Sequence, residues 1–297
     1  MDKQQLCMDQ ICREYLIYFQ KTRKSGPTQI RAITRVIKAF SRYLKKSRVQ
    51  LTNMNIQHVD GFLATFNATY AKTTQRLYRS YLRCFLRFLY TEQVLKQNLA
   101  DLLTGPPMFA KAKPPQFLRP HEVRQLFDHL PHSTACELRT YAQVHLAYFL
   151  GLRPIEISRI TLDDIAFSKG LLHLKNRKNN CPLQLPIPED TLKAITAYII
   201  GGRPKSLQRD LFLIFWPDPF PMSAGLVGQY LTKALRDAGL PGTGYWLRHT
   251  FAQNMLESGA KIFEIKEMLG HDSIESTRQY LSIHTSLMRK ALFNETI

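Results

Sequence analysis

The stretch Leu247-Arg248-His249-Thr250-Phe251-Ala252 sets a charged side chain into an otherwise apolar helix start. Downstream come Leu269-Gly270-His271-Asp272 and then Thr277-Arg278-Gln279-Tyr280. His271 lies 23 residues after Arg248, and Tyr280 nine residues after His271. Upstream, Gly151-Leu152-Arg153-Pro154-Ile155-Glu156 puts a second arginine just after a glycine that ends one helix, with an acid three residues on. Any one of these stretches is weak evidence. Their order and spacing are specific.

Working outward, the 297-residue chain has room for about two domains. A hydrophobic fraction of 44% supports a packed core. No apolar run reaches the length of a transmembrane helix, and the start Met1-Asp2-Lys3-Gln4-Gln5 is not a secretory signal. Five cysteines at irregular spacing match neither a disulfide scaffold nor a zinc site, so free thiols and a cytoplasmic location are expected.

Charge is the strongest bulk signal. Lys and Arg number 41 against 23 acids, for a net +18. Such an excess draws polyanions. Residues 1–104 carry 18 basic and 6 acidic side chains, whereas residues 119–297 carry 21 and 17. Between them, residues 105–118 hold four prolines, two lysines and no acid, which suits an exposed linker.

The first third reads as helices. Ile30, Ile33, Ile37, Phe40 and Leu44 form one apolar stripe, with Arg31, Arg35, Lys38, Arg42 and Lys45 at helical spacing beside it. Leu77, Tyr81, Cys84, Phe85 and Phe88 repeat the design, beside Lys72, Arg76, Arg79, Arg83 and Arg87. Shorter helices are expected near 4–20 and 56–70. Two basic stripes with few acids to pair them predict contact with DNA phosphates rather than a merely solvated face. A membrane partner is not expected, because the same helices carry enough apolar residues for a bundle core.

The remainder predicts a mainly α fold with a small antiparallel β-sheet. Helices are expected near 119–130, 138–150, 189–200, 223–238, 246–258, 261–269 and 274–282. Strands are expected at 171–174 and 182–186, around an Asn179-Asn180 turn.

With these motifs in place, the sequence resembles the tyrosine recombinase, or phage integrase, family over essentially all of residues 119–297. The N-terminal helices look like that family's core-binding domain. The resemblance implies a helical DNA-binding domain over 1–104 and a linker at 105–118. An α+β catalytic domain would span 119–297, with a C-terminal docking helix. It implies a site-specific recombinase that cleaves and rejoins double-stranded DNA through a 3′-phosphotyrosyl link to Tyr280, with mobile-element or Xer-like roles in view. No cofactor is implied, because bond energy stays in the link, and no carboxylate or histidine cluster suggests a metal.

The residue types suit that chemistry. A phosphodiester's charge repels nucleophiles, and Arg153 and Arg248 match the two arginines that grip its oxygens. His271 matches a phosphate-bonding position, and Glu156 matches an acid that supports the site. The leaving oxygen needs a proton, which the family supplies from a lysine on a β-hairpin. Counting forward from Gly170 favours Arg177, and counting back from Pro186 favours Lys178. Arginine is a poor proton donor, so Lys178 is selected, with Lys175 in reserve. One departure stands out: the family has His, or sometimes Lys, three residues before its second arginine, where this chain has Tyr245. Either Tyr245 bonds the phosphate, leaving the Tyr280 proton to water or His271, or it packs beside Trp246.

Leu287, Met288, Ala291, Leu292 and Phe293 suit a terminal helix. It would dock on a neighbour in a tetramer spanning two DNA sites, or fold back on its own domain. The competing readings are a DNA-binding protein with impaired catalysis and a type IB topoisomerase-like enzyme. The chain leaves little room before its first helices for the extra arm-binding domain of some phage integrases.

Overall fold

The structure is a computed structural model that describes residues 8–23, 26–105, 116–175, 182–215 and 218–270. It divides into two compact units, Met1–Ala110 and Lys111–Ile297. Among the described residues, no helix is long and apolar enough to cross a membrane.

The first unit is helical: α1 (Met8–Arg23), α2 (Pro27–Lys46), α3 (Ile56–Phe66), α4 (Lys72–Thr91) and α5 (Leu99–Leu102). Pro27 opens α2, where a missing N–H costs nothing. Asn55 caps α3 by accepting from the His58 N–H at 3.2 Å. Ile33, Ile37, Phe40 and Leu44 are buried as their spacing predicts, and Ile30 packs at the margin. The core is aromatic, with Tyr15 edge-on to Phe85 at 5.0 Å and Phe40 against Phe62 at 5.0 Å. Leu77 departs from expectation, being 45% exposed while Tyr78 is buried. Tyr81, Phe85 and Phe88 of the expected face are buried, and Tyr78, Leu82, Leu86 and Leu89 widen the buried face of α4 beyond it. The α3 helix stops at Phe66, short of the expected 70. There Gln75 Nε2 takes up the Asn67 and Tyr70 carbonyls at 3.0 and 2.7 Å.

The second unit begins with α6 (Pro120–Asp128), α7 (Ala135–Phe149) and the one-turn α8 (Pro154–Ile157). Strands β1 (Ile165–Ala166), β2 (Leu171–Leu174) and β3 (Leu183–Pro186) form an antiparallel sheet in that order. Leu172 lies opposite Ile165 on one side and Leu185 on the other, and all three are buried. After α9 (Glu189–Gly201) comes a second antiparallel pair, β4 (Leu213–Ile214) and β5 (Phe220–Pro221). Strands of two residues are too short to show an alternating pattern, which is why the sequence did not reveal them. Helices α10 (Ala224–Asp237), α11 (Tyr245–Glu257) and α12 (Ile262–Leu269) complete the described fold. The expected Asn179-Asn180 turn and the 274–282 helix lie outside the described residues.

Helix α7 is the axle of this unit, packing against α9, α10 and α11. It starts at Ala135, before the expected 138, because Thr134 and Glu137 form a capping box. Since neighbours surround it, even Arg139, Gln143 and His145 are buried. Arg139 sits 4.5 Å from the centre of the Phe215 ring and 4.8 Å from that of Tyr230, and donates to the Leu213 carbonyl at 2.8 Å. His145 lies among Phe127, Tyr141 and Phe149. Burial pushes its pKa down to about 4, only partly opposed by Asp190.

A histidine neutral in the fold but protonated when unfolded makes stability depend on pH. The unfolded pKa is about 6.5, so the stability His145 confers is complete above that value and drains away as pH falls towards 4. Its share is at most about 1.4 kcal/mol per pH unit. His145→Phe should flatten the stability profile by up to that slope in urea unfolding between pH 4.5 and 7.5. Parallel profiles would show that His145 is not buried neutral.

Candidate active site

The site starts with backbone geometry. Gly151 ends α7 at φ +61°, and a Cβ there would lie 2.4 Å from Phe251 Cδ1, so only glycine fits. The chain then turns through Leu152 into α8, with Arg153 at its N-cap and Pro154 at its first position. Glu156 reaches back to accept from the Arg153 N–H at 2.8 Å, closing half of a capping box. Its other oxygen accepts from Arg153 Nη1 at 3.0 Å.

Arg248 arrives on α11 and is only 4% exposed. Its guanidinium donates to the Gly151 carbonyl and to the Leu269 carbonyl, and lies 3.5 Å from Glu156 Oε2. The buried Glu156 carboxylate therefore stands between two guanidinium groups from distant parts of the chain. A buried charge left without such a partner is strongly destabilising.

Both arginines also meet the end of α12. Arg153 Nη2 donates to the Gly270 carbonyl at 2.9 Å, beside the Arg248–Leu269 bond. The last carbonyls of a helix lack intrahelical partners and form the negative end of its dipole. Gly270 caps α12 in the left-handed conformation, φ +58°, with its N–H bonded to the Glu267 carbonyl at 3.0 Å. Thus Arg153, Glu156, Arg248 and the end of α12 form one cluster, and His271 is the next residue along the chain. His271, Tyr280 and Lys178 lie outside the described residues.

Tyr245 is the first residue of α11, three before Arg248 and so on a neighbouring part of the same helix surface. It is 51% exposed, while Trp246 packs against the core and under Gly242. The Tyr245 ring is therefore not buried in the core. His249, which sequence reasoning passed over, is half-buried. Burial first, and Arg248 second, push its pKa down to about 4, so it is neutral at physiological pH.

Lys175, the reserve hairpin lysine, directly follows β2 and pairs with Asp164 at 2.9 Å. The Asp164 contact holds its pKa above the usual lysine value.

The basic stripes of the first unit differ from one another. On α2, Arg31, Arg35, Lys38 and Arg42 are all exposed. Hydrogen bonding to Tyr78 raises the Arg35 pKa. On α4, Lys72 and Arg76 are exposed, but Arg79 and Arg83 also hold the chain just after α5 and Arg87 pairs with α5 itself. Arg79 donates to the Thr104 carbonyl at 2.8 Å, Arg83 donates to the Leu103 carbonyl, and Arg87 lies 3.3 Å from Asp101.

Comparison with known proteins matches residues 116–286 to the phage integrase family and residues 12–93 to the phage integrase N-terminal SAM-like domain. Among curated relatives, tyrosine recombinase XerC of Halalkalibacterium halodurans is 28% identical over 95% of each chain. Tyrosine recombinase XerD of Staphylococcus saprophyticus is 28% identical over 97% of this chain and 98% of its own. Among solved structures, the XerH site-specific recombinase bound to palindromic difH in a post-cleavage complex superposes with a TM-score of 0.75 at 17% identity. That match covers 97% of this chain and 84% of the other. A lambda integrase dimer bound to a COC′ core site gives 0.70 at 20% identity, covering 93% and 77%.

Two substitutions probe the cluster. Glu156→Ala strips the shared carboxylate from two cations and should cost about 3–5 kcal/mol in urea unfolding. Gly151→Ala forces a Cβ into the Phe251 ring at positive φ and should also destabilise the protein, while Gly259→Ala, with open space around it, should be milder. Wild-type stability for Glu156→Ala would contradict the shared-carboxylate arrangement.

Proposed function

Because the chain belongs to the phage integrase family, we propose that it is a site-specific DNA recombinase whose nucleophile is Tyr280. The supporting observation is the meeting of Arg153 and Arg248 on Glu156 and on the last carbonyls of α12, immediately before His271.

In this reading the remaining N–H groups of Arg153, together with Arg248, grip the non-bridging oxygens of the scissile phosphate. They stabilise the charge that builds up on it in the transition state. Glu156 holds both arginines rather than reacting. The Tyr280 oxygen bonds to phosphorus as the bond to the 5′-oxygen breaks. The phenol proton passes to water or His271, and the departing oxygen takes a proton from Lys178. The product is a 3′-phosphotyrosyl link and a free 5′-hydroxyl. Attack by a 5′-hydroxyl reverses the step and rejoins the strand without ATP. Tyr245, with its ring exposed, supplies a hydrogen bond to the phosphate where the family has a histidine.

The DNA-binding part is assigned to residues 1–104, with 105–118 as linker and 119–297 as the catalytic part. The exposed cations Arg31, Arg35, Lys38, Arg42, Lys72 and Arg76 meet phosphates, while Arg79, Arg83 and Arg87 combine that role with holding α5 and the residues just after it. Such contacts add affinity but little sequence information. The active assembly is a tetramer on two DNA sites, joined by the terminal helix, in the cytoplasm. The Xer relatives favour a simple recombinase.

A nicked duplex that loses a short fragment on cleavage should trap a covalent complex, in chelator as well as without it. Tyr280→Phe should abolish trapping, and Arg153→Ala and Arg248→Ala should each slow it on the order of 100-fold or more. Tyr245→Phe removes a hydrogen bond to a charged group and should slow it about tenfold or more. Unchanged trapping by Tyr280→Phe would overturn the nucleophile assignment. Binding without any trapping by wild type would favour a DNA-binding protein without catalysis. Arg31→Ala or Lys38→Ala should each lower the slope of log affinity against log salt by about 0.9.

A further inference from the structure

The β2–β3 hairpin leaves the sheet at Lys175, and the structure ties that residue down. Its ammonium lies 2.9 Å from Asp164 Oδ1. The Lys175 side chain is 64% exposed but that of Asp164 is only 11% exposed. An ordinary exposed pair contributes little, because both side chains must be ordered to form it. Here the carboxylate is fixed beforehand. Its second oxygen accepts from the Thr161 N–H at 2.9 Å and the Thr161 hydroxyl at 2.7 Å. Burial alone would raise the Asp164 pKa, yet those two bonds and Lys175 outweigh it and hold the pKa below the usual value.

The turn that carries Asp164 is itself braced. The Leu162 N–H donates to the Arg209 carbonyl at 2.8 Å, and the Leu211 N–H donates to the Ile160 carbonyl at 2.8 Å. Asp163 pairs with the Arg209 guanidinium. Strand β1 begins at the residue after Asp164 and pairs with β2, whose end is the residue before Lys175. Asp164 thus grips the hairpin at its root from a turn that cannot easily shift. Lys178 is three residues further on, no more than about 10 Å of extended chain.

We infer that Asp164 is a positioning residue for the leaving-group step, acting through Lys175 to hold in place the hairpin that delivers the proton. This rests on the recombinase reading above, in which a hairpin lysine protonates the 5′-oxygen as the bond from phosphorus to that oxygen breaks. Asp164 touches neither DNA nor the reacting atoms. Its effect is confined to the step that needs the proton.

That confinement makes the inference testable. A substrate whose bridging 5′-oxygen is replaced by sulfur needs no proton donor, because a thiolate is a good leaving group. Single-turnover cleavage of oxygen and sulfur duplexes is compared for wild type, Asp164→Asn, Lys175→Ala and the double variant. Asp164→Asn should slow the oxygen substrate on the order of tenfold, part of the usual general-acid contribution, and leave the sulfur substrate near wild type. Lys175→Ala, which keeps Asp164 and its Thr161 bonds, should show the same selectivity even if the Asn variant folds poorly. Lys175→Arg, which keeps an ion pair but is a poor proton donor, should instead stay near wild type on oxygen. An oxygen-selective loss with Lys175→Arg would make Lys175 the donor and overturn the inference. The double variant should be no slower than the slower single variant, because both act through one pair. Equal slowing on both substrates, or none on either, would overturn the inference. Lys178→Ala is the separate check on the donor: failure of sulfur to rescue it would reject Lys178 while leaving the Asp164 result to be judged by itself.

Discussion

The second unit depends on one buried carboxylate. Glu156 is held between Arg153, its neighbour on the same short helix, and Arg248, brought in on α11. Two cations so close would repel each other without it, and a lone buried carboxylate would be costly without them. The cluster reaches further because both arginines also bond the final carbonyls of α12. Three segments far apart in sequence are therefore registered by one charge network. The stretch that follows Gly270, which carries His271 and Tyr280, starts from that fixed point.

The chemistry proposed for the site follows from the same economy. Cations needed to bind a phosphate must be present before the phosphate arrives, and must not collapse onto each other in its absence. Glu156 and the helix-end carbonyls keep the guanidinium groups apart and oriented. This is preorganisation in the physical sense, with donors set in place by packing rather than recruited by substrate. The cationic face of the first unit has a different character. On α2 it is open to solvent, whereas on α4 it partly serves the fold through Arg79, Arg83 and Arg87.

Much of this was legible in the sequence. Helical periodicity located the α2 stripe, because Ile33, Ile37, Phe40 and Leu44 are buried on one face. Glycine before Arg153 and the i,i+3 acid at Glu156 marked the site, because a tight turn and a capping carboxylate have sequence signatures. What was hidden had none. The carbonyls of Gly151, Leu269 and Gly270 bind the arginines through backbone, which every residue carries. Strands β4 and β5 are too short for a period. Leu77 was misplaced because leucine and tyrosine both suit an apolar face, and only packing against neighbouring helices chose Tyr78. The Asp164–Lys175 pair joins residues eleven apart through a sheet register that spacing alone does not reveal.

The central claim is that the arginine cluster serves a tyrosine nucleophile at position 280. The most direct measurement is peptide mapping of protein trapped on a nicked duplex, by nuclease digestion followed by mass spectrometry. The account predicts a nucleotide adduct on the peptide containing Tyr280, attached through a 3′-phosphate. An adduct on another residue, Tyr245 included, or attachment through a 5′-phosphate, would contradict it.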